Sequence, residues 1–413
     1  MPDLTAGLFS CDEKALKLPL QFYIGDEMYL TKEEELILAG EYGYALQKAM
    51  EILVALGDIY GADRLIPIKS AQVAGVSYKN IGDAGIEFLK DLVNSGAKVS
   101  VYTTLNPAGI GDELFMEKQR EILELYRAMG IEVTSTCTPY YGANLPKFGD
   151  HIAWSESSAV IFANSIIGAR TNREGGPSSL AAAIVGKTPN YGLHLEENRK
   201  ATVIVEVKAK LKDFADYSFL GYYLGRALKN DIPYFKNLKP EKTDYLKELG
   251  ASMAATGSIA LYHVEGETPE YRHAIGDKLE RIEVDEKGLE EVKEKFNAEW
   301  REIDAIVIGC PHASIQEIKE VAELLKMRRK PLKVPLLITA SRAVKALSDT
   351  LGYTEVIERY NGRIIADGCL IVSPVERWYE GIATNSGKAS FYFSSAGLKV
   401  RLEDTERLIL EAP

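Results

Sequence analysis

Three of the four cysteines, Cys137, Cys310 and Cys369, sit where strand-like runs give way to loops. Cys137 follows Ile131 to Thr136, Cys310 follows Ala305 to Gly309, and Cys369 comes three residues after the run Arg363 to Ala366. Ligands of open α/β sheets bind in the crevice beyond the carboxyl ends of the strands. Three thiols from distant segments can therefore converge on one pocket. Three soft sulfur ligands would leave a metal or iron–sulfur centre one open coordination position, as catalysis at a metal requires. Free cysteine also packs as a small hydrophobe. The chain has no Cys-x-x-Cys pair and no His-rich tract, so spacing alone leaves both readings open. The neighbours Thr138-Pro139, Pro311-His312 and Asp367-Gly368 are turn formers, which place the thiols at loop tips rather than inside helices.

A second group carries polar chemistry. Arg170 and Arg173 lie among Gly, Ser, Thr and Asn after an apolar run, Ala159 to Ala163, read as a strand. Arginine forks bind carboxylate or phosphate bidentately, and a helix starting near Ser178 would add backbone donors for an anion. A solvated loop with structural arginines is the competing reading. Asn385-Ser386-Gly387-Lys388 is a further candidate anion contact, although a lone lysine in a polar turn more often lies at the surface. Gly186-Lys187-Thr188 fails as a phosphate loop, because Ala181 stands where the motif needs glycine. The five histidines lack zincin spacing and no Gly-x-Ser-x-Gly elbow is present, which argues against those hydrolases. His312, two residues after Cys310, is placed to support the thiols from behind.

These groups need a scaffold of strands with crossover helices. The chain supplies it at 413 residues, enough for two or three domains with sizeable cores. Strand patterns at 64–68, 99–103, 131–136, 201–208, 305–309, 334–339 and 362–366 alternate with helical patterns at 86–95, 112–129, 219–228, 288–297, 314–325 and 342–351. Between Met28 and Gly61 apolar residues recur at helical spacing, with Thr31 as N-cap and Glu33, Glu34 and Glu35 in the first turn. This alternation predicts an α/β protein of several domains, with parallel or mixed sheets flanked by helices and the active site at strand C-terminal ends. The expected division is an N-terminal extension over 1–27, an α/β domain over 28–135, a central α/β domain with the polar loop over 136–297, and a C-terminal α/β domain over 298–413. Cys11 falls in the extension and receives no role.

Composition sets the class. Hydrophobic residues at 46% and charged residues at 26% describe an ordinary globular protein. The formal net charge of -11 argues against a duplex nucleic-acid binder while allowing a locally basic pocket. No apolar run is long enough to span a bilayer, no signal peptide is recognisable, and four cysteines make no disulfide framework, so the cytoplasm is expected.

The segments Lys69 to Tyr78, Thr136 to Tyr140, Glu156 to Ala159, Asn164 to Pro177 and Gly309 to His312 together resemble the aconitase X family, from about Met28 to the C-terminus. The resemblance implies an aconitase-like architecture and an iron–sulfur hydro-lyase, with a 4Fe-4S cluster held by Cys137, Cys310 and Cys369. Substrate contacts are expected from Ser70, Gln72, Gly75, Val76, Ser77, Thr104, Asn106, Glu156, Ser157, Asn164, Ser165, Arg170, Thr171, Arg173, Ser386 and Lys388. In this family a separately encoded large subunit, with no smaller swivelling domain after Pro413, points to the archaeal dehydration of (R)-5-phosphomevalonate to trans-anhydromevalonate 5-phosphate. Fused or two-subunit bacterial relatives dehydrate cis-3-hydroxy-L-proline, the second reading. A non-catalytic scaffold with packed cysteines is the third. The family's catalytic serine base belongs to the small subunit, so an obligate heterodimer is expected and this chain supplies no assigned catalytic residue.

Overall fold

The computed structural model describes residues 28–276 and 279–413. Cys11 and the proposed extension lie outside them. Three sheets form the framework, and every pairing within them is parallel. Parallel strands are covered by helices on both faces, which explains why their sequences run nearly continuously apolar. Ala305–Ile308 and Leu336–Ala340 are buried along their whole length.

The first sheet orders its strands Glu132–Ser135, Tyr102–Leu105, Ser70–Val73 and Ala153–Trp154. Because Ala153–Trp154 pairs with Ser70–Val73, the expected boundary at 135/136 cuts through this sheet. The helix Gly176–Val185 also packs on it, and so the first unit continues to about residue 200. The cue was missed because a two-residue strand leaves almost no periodicity. The second sheet runs Glu280–Val284, Val203–Val207, Pro233–Lys236 and His263–Val264. The third runs Gly362–Ala366, Leu336–Ala340, Ala305–Ile308, Gly381–Thr384 and Lys399–Leu402.

In all three sheets the chain reverses its direction of strand addition, and two of these reversals bear on the site. In the third sheet the reversal lies between Ala305–Ile308 and Gly381–Thr384, and in the first between Ser70–Val73 and Ala153–Trp154. Such switch points open a crevice at the carboxyl edge, because the following segments diverge to opposite faces. Cys310 and Lys388 follow the first pair of strands. Gly75 and Glu156 follow the second.

Two local expectations change. The apolar run Ala159 to Ala163 is helical, divided between the helix Ser157–Phe162 and a π-helical turn Ala163–Ile167. A five-residue apolar run has no periodicity to separate strand from buried helix. What decides is Glu156, whose carboxylate caps the helix by accepting from the Ala159 N–H at 2.8 Å. The helical stretch after Met28 is divided into Lys32–Leu38 and Tyr44–Tyr60 by a turn with Gly40 and Gly43 at positive φ. Thr31 does cap the first of these, in a capping box with Glu34. No described helix is long and apolar enough to cross a membrane.

Candidate active site

Cys137, Cys310 and Cys369 line one cavity of about 250 Å³ at the carboxyl ends of the first and third sheets. Asn80, Asn106, Glu156, Lys388 and Tyr392 share its wall. Gly309, just before Cys310, has φ +94, and a Cβ there would stand 2.2 Å from the Thr339 carbonyl oxygen. Only glycine permits this turn, which carries the chain off its strand and presents the Cys310 thiol.

His312 ties the three cysteine segments together. Its backbone N–H donates to Cys137 Sγ at 3.1 Å. Its ring Nδ1 meets Thr136 Oγ1 at 3.0 Å and its Nε2 meets the Gly368 carbonyl at 2.9 Å, so the imidazole bridges the residues beside Cys137 and Cys369. The ring is buried, and burial lowers its pKa to about 4. It is therefore a neutral strut at ordinary pH. The Cys369 N–H donates to the Ala108 carbonyl at 2.9 Å, joining that loop to the end of the first sheet.

Burial raises the pKa of all three thiols, and their mutual repulsion as thiolates adds to it for Cys137 and Cys310. Such a group favours a cation that would compensate three thiolates at once. Among the described residues no three His, Cys, Asp or Glu side chains are grouped for a single metal ion. An iron–sulfur cluster would draw on cysteine thiolates as its ligands. Three soft donors around one cavity fit that chemistry.

In the same cavity wall, Lys388 and Glu156 form a buried ion pair. Lys388 Nζ also reaches the hydroxyls of Ser158 and Ser157, the latter at 3.4 Å. Burial alone would raise the Glu156 pKa, but Lys388 outweighs it and holds the carboxylate below its ordinary range. Lys388, an expected anion contact, lies in this wall rather than at the surface: it occupies the first turn of the helix Gly387–Ser395, capped by Ser386, and faces inward. Asn106 Oδ1 is shut off from solvent and has no protein donor among the described residues.

The other expected contacts divide. Gly75 at φ +76, Val76 and Ser77 form the turn into the helix Tyr78–Asn94, where Ser77 caps the helix and its Oγ donates to the Val372 carbonyl at 2.6 Å. Gln72 lies beneath the Cys137 loop, donating to the Thr136 carbonyl at 2.7 Å. Ser157 stands beside Lys388. Ser70 and Thr104 are committed within the first unit, to Trp154 Nε1 and Asn144 Nδ2. Asn164, Ser165 and Thr171 are buried in backbone bonds: Asn164 with Thr171 and Ala260, Ser165 with the Tyr262 N–H, and Thr171 with Asn172 and the Trp154 N–H. They hold the first unit against the second and do not line the cavity. Arg173 donates to the Ala254 carbonyl at 3.2 Å and adds to the positive field on Glu156.

Arg170 corrects an expectation. It is absent from the cavity wall; its backbone bridges His151, before the strand Ala153–Trp154, and its guanidinium reaches the His194 carbonyl at 3.4 Å. That is the amino end of the sheet, whereas the thiols lie at the carboxyl end. The sequence missed Asn80, Pro107 and Tyr392. Asn80 lies three residues after the Ser77 cap, and Tyr392 lies one helical turn after Lys388, so helical spacing offered a signal for both.

The Arg170 neighbourhood has its own pH dependence. His151 Nδ1 and His194 Nδ1 stand 3.0 Å apart. Burial, then His151, Arg199 and Arg170, lower the His194 pKa from 6.5 to about 3. Below pH 6.5 the unfolded chain protonates this histidine while the folded chain does not, so stability falls as pH decreases toward 3. The expected slope from this residue is about 1.4 kcal/mol per pH unit. Urea unfolding at stepped pH should show it, and His194→Gln should flatten it; an unchanged slope would refute the assignment.

The sheets and the thiol-lined cavity define an α/β protein of three units with a site between the first and third. The chain belongs to the aconitase X family, whose first, second and third domain models match residues 27–197, 201–294 and 303–413 in turn. Its fold closely matches the crystal structure of Thermococcus kodakaraensis aconitase X (holo-form), with a TM-score of 0.92 and 80% identity over 94% of this chain and all of that one. The phosphomevalonate dehydratase large subunit of Thermococcus kodakarensis is 81% identical over 94% of this chain and all of its own length. That of Methanocaldococcus jannaschii is 52% identical, over 89% of this chain and 96% of its length. The cis-3-hydroxy-L-proline dehydratase of Hypocrea jecorina is 34% identical over 91% of this chain but only 66% of its own length.

Proposed function

We propose that this chain is the large subunit of a phosphomevalonate dehydratase. Paired with a small subunit, it would convert (R)-5-phosphomevalonate to trans-anhydromevalonate 5-phosphate in the mevalonate route to isoprenoids. The observation that carries the reading is the meeting of three thiols and a buried lysine in one cavity, in a chain 81% identical to a curated large subunit. Cys137, Cys310 and Cys369 would hold a 4Fe-4S cluster. When bound, it supplies an open iron position as Lewis acid for the departing hydroxyl. The chain's own residues do the rest of this half. Lys388 offers a fixed cation for a substrate carboxylate or phosphate, and Glu156 with Ser158 keeps that cation from swinging away. Asn106, in the same cavity wall, offers a further polar contact. The small subunit closes the cavity, excludes water and brings the serine base. The three cysteines among the described residues are free thiols, which agrees with a cytoplasmic protein.

The test is anaerobic reconstitution of this chain with iron and sulfide, then assay with and without the small subunit. Dehydration of (R)-5-phosphomevalonate by the complex alone is expected. Turnover of cis-3-hydroxy-L-proline in its place would move the substrate to the second reading. Full turnover by the isolated chain would place the base within these 413 residues.

A further inference from the structure

Two ionisable residues beside the site neither line the cavity nor enter the chemistry above. They are consecutive on the helix Thr243–Gly257, which is buried along most of its length. Lys247 is fully buried, donates to the His312 carbonyl at 3.3 Å and pairs with Glu317. Asp244 stands 3.6 Å from the same ammonium and is itself held by Ser314 and Tyr141, each at 2.8 Å. Burial opposes the charge on Lys247, and Glu317 with Asp244 outweighs it, keeping the pKa above that of an ordinary lysine.

Glu248, also fully buried, faces the other loop. Its Oε1 accepts from Ser218 Oγ at 2.8 Å, Ser252 Oγ at 2.7 Å and the Gly387 N–H at 2.9 Å. The approach leaves no space for a side chain, since a Cβ on Gly387 would meet Ser252 Oγ at 2.5 Å and the Ser218 carbonyl at 2.8 Å. Ser386, at the same helix start, donates to the Cys310 carbonyl. The grip on the Cys310 loop and the grip on the Lys388 helix are therefore linked.

We infer that Lys247 and Glu248 form a positioning pair that fixes the Cys310 thiol relative to the Lys388 ammonium. Apolar residues of similar volume would fill this interface as stably or more so, because buried charges lose their hydration. Stability alone leaves the pair unexplained. What hydrogen-bonded polar groups add is direction: each fixes a backbone atom within two residues of a site side chain.

The pair would act on KM through Lys388 and on thiol geometry through Cys310. The first effect rests on the dehydratase reading, whereas the second does not. In the two-subunit complex, Glu248→Leu is expected to raise KM for (R)-5-phosphomevalonate about tenfold with a smaller change in kcat. Glu248→Gln, which retains an acceptor for the Gly387 N–H, should restore most of the affinity. In the metal-free full chain, Lys247→Met should make Cys310 react with iodoacetamide several-fold faster, read by peptide mass spectrometry. A folded Glu248→Leu complex with wild-type KM, or wild-type Cys310 alkylation in Lys247→Met, would overturn the inference. Should Glu248→Leu not fold, Ser218→Ala removes one of the three donors and carries the KM test in smaller size. A wild-type complex inactive on phosphomevalonate would instead sink the dehydratase reading and leave the alkylation test standing.

Discussion

Cys137→Ser, Cys310→Ser and Cys369→Ser are each expected to lose cluster iron and to lower turnover of the reconstituted complex by about a thousandfold or more. Serine keeps the volume and removes the soft ligand, so the fold should survive; circular dichroism and the unfolding midpoint check that. Cys11→Ser should keep both iron and activity. Iron and sulfide analysis with kinetics on the same preparations decides the matter. The assignment would be wrong if Cys310→Ser retained full iron and normal turnover. Packing makes a different prediction, because serine for a buried thiol would then cost stability and leave turnover of the folded fraction unchanged. Cys310 and Cys369 are incompletely buried, which agrees with a role facing a cavity.

The scaffold was legible in particular elements. The run at Gly362–Ala366 matches its strand residue for residue, and the Thr31 cap matches its helix, because each announces itself within a few neighbours. The thiols were legible for a related reason: a cysteine following a buried parallel strand must emerge at the carboxyl edge. The arginine segment misled because a Gly-rich, polar stretch reads the same whether it faces a ligand or another unit. The Asn164 side chain donates to the Thr171 carbonyl and accepts from the Thr171 N–H, and Arg199 reaches Asn164, so this segment is a seam. Lys388 was hard to read for the opposite reason. Its partner Glu156 lies 232 residues earlier, and nothing local distinguishes a buried lysine in a turn from an exposed one. Lys247 and Glu248 look like an ordinary charged turn of helix until the loops at 310–314 and 385–388 close around them.

Lys388, expected as a substrate contact and buried in the cavity wall, leads to the second large effect. Lys388→Met is expected to abolish turnover and to destabilise the chain by about 3–5 kcal/mol, because it strands a buried carboxylate. Glu156 would retain the Ala159 N–H and the hydroxyls of Ser157 and Ser158, but these stabilise an ion less than the ammonium does. With the cation gone, burial is left to push the Glu156 pKa upward. A double variant separates structure from chemistry. Glu156→Gln with Lys388→Met removes both charges, so the chain should recover most of the lost stability while turnover stays absent. Urea unfolding of the two variants beside wild type measures the first quantity, and dehydration by the reconstituted complexes measures the second. Equal destabilisation of the single and double variants would show that the pair is not the source of the cost. Turnover surviving in Lys388→Met would remove the lysine from the substrate's reach and leave it a structural counter-ion for Glu156.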